Sequence, residues 1–444
     1  MTFTRRGILK TAAATGLAGL FMPSAARAGE DGAGACVLSS VDCHGAHADA
    51  LVEFISVQAQ VNRGNPVWDR PQWRPLLGAL GVRYIRGNLA GKRARDHMLA
   101  LNAQYGIRAC ALVTSVRRDG SFDFDKAAAI VDFMRDEIGP GAIRAFEGPN
   151  EYTKNHKSDG WAGRLRDYQE FLFRRIRNDP SLKTIPLLAP TIWQRKLEDY
   201  RAIAPLGRFC DHGNLHLYSG GRRPSLFASE GKDESVDRAI DDARGVAPDR
   251  RICVSETGFR TAGIRPTAWD LPPEVVAKYT LRNITGMFLR RRDVAWMNIY
   301  TLMDYSAGSD YGLLDTDLTP RPVYFALRNL IRIVADPGPA IQADERIAFR
   351  LLAGSPALRS LALHKRDGRS LLLLWCDADS YDRRARNPVR IAPQPATVDF
   401  GGRRIGSLRL YMPTRSGMPV EERSGITSAG LQVTDDLLIA EMTP

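Results

Sequence analysis

The chain has 444 residues, a quarter of them charged, and a formal net charge of +12. The basic excess is spread along the sequence, with Arg290-Arg291-Arg292 its densest run. No basic-aromatic motif accompanies it, which excludes nucleic acid as the expected partner and leaves an acidic polysaccharide open on charge alone.

At the N-terminus, Thr4-Arg5-Arg6-Gly7-Ile8-Leu9-Lys10 precedes a mildly apolar stretch from Thr11 to Met22, and Ala26-Arg27-Ala28 supplies a small-x-small cleavage site. Paired arginines, a weak apolar region and that ending predict a twin-arginine export signal over residues 1–28. Its apolar stretch, roughly 12 residues against about 20 for a span, is too short to cross a bilayer, and no later segment qualifies either. The expected mature chain begins near Gly29. It loses four basic and no acidic residues, so its charge falls to +8, and it is periplasmic or secreted. Of six cysteines, Cys110, Cys253 and Cys376 lie in apolar runs and read as buried thiols, whereas Cys36 and Cys43 are near enough to close a small loop. Cys43-His44-x-x-His47 resembles a metal-site fragment, but no second ligand cluster follows at metal spacing, so no metal is expected.

From about Ala50 to Ala335, short apolar runs alternate with helical patterns. The predicted strands are Phe54–Val61, Val82–Gly87, Ile107–Thr114, Ile143–Phe146, Ile185–Ala189, Gly213–Tyr218, Arg251–Ser255 and Val294–Leu302. Arg83, Arg108, Arg144 and Arg251 at strand starts read as ordinary solvated charge. Between the strands, Trp161, Leu165, Tyr168, Leu172 and Ile176 recur every three or four positions, and Asp125–Ile138, Ser235–Val246, Pro273–Leu289 and Pro322–Val334 behave alike. Pro272-Pro273 opens the seventh helix and Gly139 closes the third. Eight strand-helix units over about 285 residues predict an α/β (β/α)8 TIM barrel. No Gly-rich phosphate loop follows the first strand, which argues against an open doubly wound sheet.

After about Asp336 the texture changes to short strand runs joined by Gly, Pro and Asp-Gly turns: Ile347–Leu352, Ser360–Lys365, Ser370–Cys376, Ala396–Phe400, Ser407–Tyr411, Leu431–Val433 and Leu437–Glu441. A small β-sandwich over residues 336–444 is expected to pack on the barrel of residues 29–335, with sugar binding a further role open to it.

Two glutamates, 105 positions apart, end strand-like runs: Glu151 in Phe146-Glu147-Gly148-Pro149-Asn150-Glu151, and Glu256 in Val254-Ser255-Glu256-Thr257-Gly258. Paired carboxylates from two strands are the minimum apparatus for cleaving a glycosidic bond. Gly-Pro-Asn-Glu closing the fourth strand and Ser-Glu-Thr-Gly closing the seventh, on this frame, resemble clan A glycoside hydrolases over roughly residues 50–440. The cellulase-like family 5 and family 39 are the most similar. The resemblance implies a retaining hydrolase with no cofactor, Glu151 as acid/base and Glu256 as nucleophile. It also implies that Arg86 stands beside the nucleophile, that Tyr218 donates to it, that His216 is their partner, and that Asn150 serves the sugar 2-hydroxyl and the nucleophile. Burial beside an aromatic such as Tyr152 would keep Glu151 protonated near neutrality. Glu147 reads as half of a structural ion pair. Trp193 and Tyr300, with Tyr152 and Tyr305, are candidate sugar platforms. Trp296 lies too early in the eighth strand to be the tryptophan that many clan members present at its end.

The expected partner is a poly- or oligosaccharide bound by a monomer, without stable membrane insertion. Three alternatives stand beside hydrolysis: a transglycosylase, a silent carbohydrate-binding protein on the same barrel, and a metal-dependent hydrolase using His44, His47, His212 and His216.

Overall fold

The structure, a computed structural model, describes residues 45–62, 66–229, 232–263, 267, 269–306, 308, 310–339 and 347–444. The expected export signal, Cys36, Cys43 and His44 lie outside the described residues.

Eight parallel strands form one sheet in chain order: β1 (Ile55–Gln58), β2 (Tyr84–Gly87), β3 (Arg108–Leu112), β4 (Ile143–Glu147), β5 (Leu187–Leu188), β6 (Gly213–His216), β7 (Ile252–Thr257) and β8 (Val294–Ile299). β8 pairs with β1, Met297 opposite Ile55. β5 meets β6 through a bridge between Leu188 and His212, and the Asp211 N–H donates to the Leu187 carbonyl at 2.8 Å, so the ring closes. A helix follows each strand: α1 (Trp73–Leu80), α2 (Lys92–Tyr105), α3 (Phe124–Phe133), α4 (Trp161–Arg177), α5 (Leu197–Ile203), α6 (Val236–Arg244), α7 (Pro273–Leu289) and α8 (Pro322–Val334). Local chemistry sets their limits. The Asp123 carboxylate caps α3 by accepting from the Lys126 N–H, Pro273 opens α7, and α1 ends at Gly81 in the left-handed conformation. The predicted stripe of α4 is its buried face.

At the N-terminal end of the barrel the expectation of solvated arginines fails for Arg144. Its guanidinium is sandwiched 3.6 Å from the Tyr84 ring centroid and 4.4 Å from that of Trp296. A closed barrel must fill its interior with side chains, and the long guanidinium spans what apolar residues leave open. Burial holds the Arg144 pKa below its ordinary value. Trp296 is therefore spent at the end opposite the mouth.

The C-terminal strands are β9 (Arg350–Ala353), β10 (Leu358–His364), β11 (Ser370–Cys376), β12 (Gln394–Asp399), β13 (Ile405–Tyr411), β14 (Glu421–Ile426), β15 (Ser428–Val433) and β16 (Leu438–Thr443). Sheet β9-β12-β15 faces sheet β10-β11-β16-β13-β14, whose β10 edge also pairs in parallel with Ala46–His47, from before the barrel. β11, Ser-Leu-Leu-Leu-Leu-Trp-Cys, is buried throughout because both its faces are covered. Leu372, Leu374 and Cys376 fill the sandwich, while Leu371, Leu373 and Trp375 join the barrel's core. Polar pins fix the contact. Arg282 of α7 donates to the Ser380 hydroxyl at 3.1 Å and the Ala378 carbonyl at 2.9 Å, and the Ser380 N–H donates to the Tyr279 hydroxyl at 2.9 Å. Of β9 to β16, β14 has no counterpart among the predicted strands; among the described residues it pairs with β13 alone, a hydrophilic edge with no apolar alternation for a sequence reading to detect. Cys110, Cys210, Cys253 and Cys376 are buried free thiols.

Candidate active site

Six of the eight predicted site residues meet in one hydrogen-bonded network at the C-terminal end of the barrel. Its hub is Arg86 of β2, fully buried. Nε and Nη2 grip the two oxygens of Glu147 at 2.6 and 2.7 Å, and Nη1 donates to Glu256 Oε1 at 2.7 Å and Gln58 Oε1 at 2.8 Å. Nη2 also donates to Asn150 Oδ1 at 2.7 Å. Burial pulls the Arg86 pKa down, but the Glu147 and Glu256 carboxylates outweigh it and hold the guanidinium charged. Glu147, wholly buried, takes further donors from Asn214 Nδ2 at 3.0 Å and Ser255 Oγ at 3.1 Å. Its valences are filled by structure, as the ion-pair reading expects.

Glu256 and Ser255 are adjacent, so a regular strand would turn them to opposite faces. The pairing of β7 shifts register between Val254 and Glu256 against β6, and between Val254 and Thr257 against β8. That bulge lets Ser255 reach Glu147 while Glu256 reaches the mouth. The Tyr218 hydroxyl donates to Glu256 Oε2 at 2.9 Å. Burial and then the charge on Glu256 push the phenol well above its ordinary pKa, which keeps it a donor.

Glu151 leaves β4 through a turn in which it adopts the left-handed conformation, φ 45°. Such a backbone is uncommon for a residue with a side chain and is held here by neighbours. The Glu151 N–H donates to Thr191 Oγ1 at 2.9 Å, and its carbonyl accepts from the Lys154 N–H at 2.9 Å. A short 3-10 turn, Tyr152–Lys154, follows, but the Glu151 side chain does not cap it. The carboxylate instead meets His216 Nδ1 at 3.0 Å, and the same nitrogen lies 3.5 Å from Glu256 Oε2. His216 Nε2 faces Arg86 Nη2 at 3.5 Å. A guanidinium can only donate, so this geometry assigns the proton to Nδ1, pointing at the carboxylates.

Two details depart from expectation. Tyr152 turns away from Glu151: its hydroxyl donates to the Gly120 carbonyl at 2.5 Å and its ring stacks on Phe122. Burial pushes the Glu151 carboxyl up, but the bond from His216, helped by the charges of Lys154 and Arg86, outweighs it, so the pKa lies below its ordinary value rather than near neutrality. Asn150 gives its oxygen to Arg86 rather than bonding Glu256.

Tyr300, ending β8, joins the site by aromatic contact, edge-on to Tyr218 at 6.3 Å and to Tyr311 at 5.5 Å. Trp193 is outside the network. It is half-buried on the turn after β5, its backbone N–H donates to Thr153 Oγ1 at 3.1 Å, and Lys154 Nζ lies 6.0 Å from its ring. The sequence reading missed Gln58, Asn214 and Tyr311. Gln58 and Asn214 carry a usable signal, since Ser56/Gln58 and Asn214/His216 are polar pairs two apart in otherwise apolar strands; Tyr311 lies in a loop with none.

Among the described residues, the one group of His, Cys, Asp or Glu with ligand atoms within 4.8 Å of each other is Glu151, His216 and Glu256. The Arg86 charge bonded to Glu256 opposes a cation there. The other described histidines go elsewhere. His47 bonds Asp336 at 2.7 Å, and His212 packs edge-on to Trp296 at 5.0 Å, where burial lowers its pKa to about 4. The four-histidine metal arrangement is not assembled by the described residues.

No protein-family model matches the chain, and no curated protein does. Solved structures are similar in fold. A GH39 enzyme from Xanthomonas axonopodis pv. citri superposes with a TM-score of 0.57 at 15% identity, over 90% of this chain and 95% of that one. A family 39 glycoside hydrolase from Bacteroides cellulosilyticus WH2 gives 0.56 at 13%, over 92% and 83%. A GH51 arabinofuranosidase from Xanthomonas axonopodis pv. citri gives 0.52 at 14%, over 90% and 97%. The chain has the fold of these glycoside hydrolases. No helix among the described residues is long and apolar enough to cross a membrane.

Proposed function

We propose that this protein is a retaining glycoside hydrolase acting on a poly- or oligosaccharide, with Glu256 as nucleophile and Glu151 as acid/base. The observation that carries the reading is the close approach of two carboxylates, one just after β4 and one on β7, with one oxygen of each within 4.8 Å of the other beside His216. Retaining enzymes hold their carboxyl groups about 5–5.5 Å apart, whereas inverting enzymes leave about 6.5–9.5 Å for a water.

In the first step Glu256 Oε attacks the anomeric carbon while Glu151 gives its proton to the departing glycosidic oxygen. Arg86 and Tyr218, one on each oxygen of Glu256, hold and aim the nucleophile. In the second step Glu151 takes a proton from water, which attacks the glycosyl-enzyme and frees Glu256. The free site, in which His216 stabilises the Glu151 carboxylate, suits this second role. The first requires bound sugar to exclude water and push the carboxyl up. Asn150 is assigned to a sugar hydroxyl, and Trp193 and Tyr300 to ring contacts. The protein acts as a monomer after export by the twin-arginine route, with the signal, barrel and sandwich dividing near residues 28 and 335.

A mechanism-based 2-deoxy-2-fluoro aryl glycoside tests the proposal. It should inactivate the protein and label the peptide containing Glu256 one-to-one. Labelling at Glu147 or Glu151 would reverse the roles, and turnover without inactivation across a panel of such sugars would remove the covalent mechanism.

A further inference from the structure

The sandwich sends one element to the barrel's mouth. A short hairpin, Tyr381–Asp382 paired with Asn387–Pro388, carries Arg383, Arg384 and Arg386, and Arg390 follows it. Arg384, Arg386 and Arg390 are exposed and Arg383 half-buried. The hairpin's own carboxylate does not neutralise them: Asp382 Oδ1 accepts from the Arg384 and Ala385 N–H groups at 2.8 and 2.9 Å, fixing the turn. None of the four arginines has a carboxylate within ion-pair distance among the described residues. Neighbouring basic residues do: Arg222 pairs with Asp233, Arg223 with Asp379 and Arg260 with Asp270. Four arginines gathered within eight residues, none of them in an ion pair among the described residues, make a concentrated positive patch that attracts an anionic partner.

Its position says which kind. Arg383 Nη1 donates to the Gly220 carbonyl at 3.3 Å, two residues beyond Tyr218 on the loop after β6. Gly220 is also covered by Trp269, from the loop after β7. A Cβ built on Gly220 would lie 3.9 Å from the indole Cδ2, and one on Gly221 would lie 3.4 Å from Arg383 Cδ. Trp269 is nevertheless 57% exposed, the second most exposed large apolar side chain among the described residues. An exposed indole and the Arg383 guanidinium thus flank the Gly220-Gly221 turn at the mouth, and the exposed Arg384, Arg386 and Arg390 follow Arg383 in the chain. The indole offers a flat apolar surface for a pyranose face, and the guanidinium groups offer forked donors for a carboxylate or sulfate.

We infer that Trp269 and the Arg383–Arg390 hairpin form a subsite for an acidic sugar unit, carboxylated or sulfated, of the polymer whose bond the barrel cleaves. The inference rests on the glycosidase reading and narrows its substrate to acidic polysaccharides. It gives the sandwich a part in binding, and it distinguishes a sugar chain from a bare polyanion, because an indole adds nothing for a polymer without rings.

Affinity electrophoresis of the mature chain tests it, with polygalacturonate, dextran sulfate, neutral dextran and poly-L-glutamate as probes at low and moderate salt. The native protein should be retarded by polygalacturonate, by dextran sulfate or by both, in a salt-sensitive manner, and by neither of the other polymers. Retardation by polygalacturonate alone assigns a carboxylate, and by dextran sulfate alone a sulfate. An Arg384→Ala, Arg386→Ala, Arg390→Ala variant should bind about tenfold more weakly, the combined effect of three exposed charge contacts. Trp269→Ala should weaken binding to the acidic glycans with the arginines intact. Equal retardation by poly-L-glutamate, glycan binding unchanged in the triple variant, or no retardation by either acidic glycan would each overturn the subsite. Failure of the fluorosugar to label Glu256 while arginine- and tryptophan-dependent glycan binding persists would remove the catalytic reading and leave the binding subsite standing.

Discussion

His216 Nδ1 lies 3.0 Å from Glu151 Oε1 and 3.5 Å from Glu256 Oε2, so one imidazole proton is shared between the two carboxylates on which the proposed chemistry depends. Because burial alone would raise the Glu151 pKa, the lowering is the work of this contact, seconded by Lys154 and Arg86.

Replacing His216 by Leu should therefore raise the Glu151 pKa. In kcat/KM the alkaline limb marks loss of the acid's proton from the free enzyme, so it should move to higher pH. The stability consequence has a definite sign. A depressed carboxyl pKa contributes stability that is fully present above the ordinary value of 4.5 and is lost as pH falls through the folded-state value. The variant should lack that contribution, so its stability should fall less steeply over this acid range. A pH-rate profile with an unmoved alkaline limb would show that His216 does not set this proton.

Arg86 makes the opposite kind of contribution, to the fold as much as to the site. It is the buried partner of Glu147, which has no exposure of its own. Arg86→Met would leave that carboxylate charged and unpaired, at a cost of about 3–5 kcal/mol. Urea unfolding should report it as a fall in midpoint with little change in slope. The double variant Arg86→Met, Glu147→Leu should recover a large part of the loss, because it removes both charges. Without recovery, the cost lies in Gln58, Asn150 or Glu256 instead.

Several of these positions were legible in the sequence, and the reasons for the rest are specific. Eight strand-helix units could be read because each barrel strand is an apolar run and each outer helix has an apolar stripe, as in Trp161–Ile176. His216 and Tyr218 could be placed on one side by alternation. Alternation fails at Ser255 and Glu256, where a bulge turns neighbours into one network, and no residue type announces a bulge. It also fails to say that Arg144 is sandwiched by Tyr84 and Trp296, since a strand-start arginine looks the same solvated or enclosed. The aromatic beside Glu151 was the wrong inference from proximity in sequence: Tyr152 is next in the chain, but a left-handed turn at Glu151 sends the two side chains apart. The mouth itself depends on Gly220, Trp269 and Arg383, from three segments up to 163 positions apart that only the fold brings together.

Tyr218→Phe should separate positioning from folding. The change deletes one donor to Glu256 and retains the ring that packs edge-on against Tyr300 and Tyr311. A lost bond to a charged group is worth about 1.5–3 kcal/mol, so kcat for an aryl glycoside should fall by roughly ten- to a hundredfold with little change in Tm. A fall in Tm with kcat preserved would make Tyr218 a packing residue.

In the proposed mechanism Glu151 carries two duties that come apart on different substrates: it protonates a poor leaving group in the first step and activates water in the second. Glu151→Ala should reduce hydrolysis of natural glycosides by about 10²–10⁴-fold, the usual worth of a positioned acid/base. A dinitrophenyl glycoside departs without a proton, so its first step should survive and the glycosyl-enzyme on Glu256 should accumulate. Azide should then restore turnover, since a small anion fits the space left by the carboxylate and needs no base to attack. Displacement at a carbon already inverted once gives the glycosyl azide of retained configuration. An azide product of inverted configuration would mean a single displacement, at odds with carboxylate oxygens within 4.8 Å of each other. Unchanged hydrolysis of natural glycosides with no azide product would leave Glu151 a partner of His216 and nothing more.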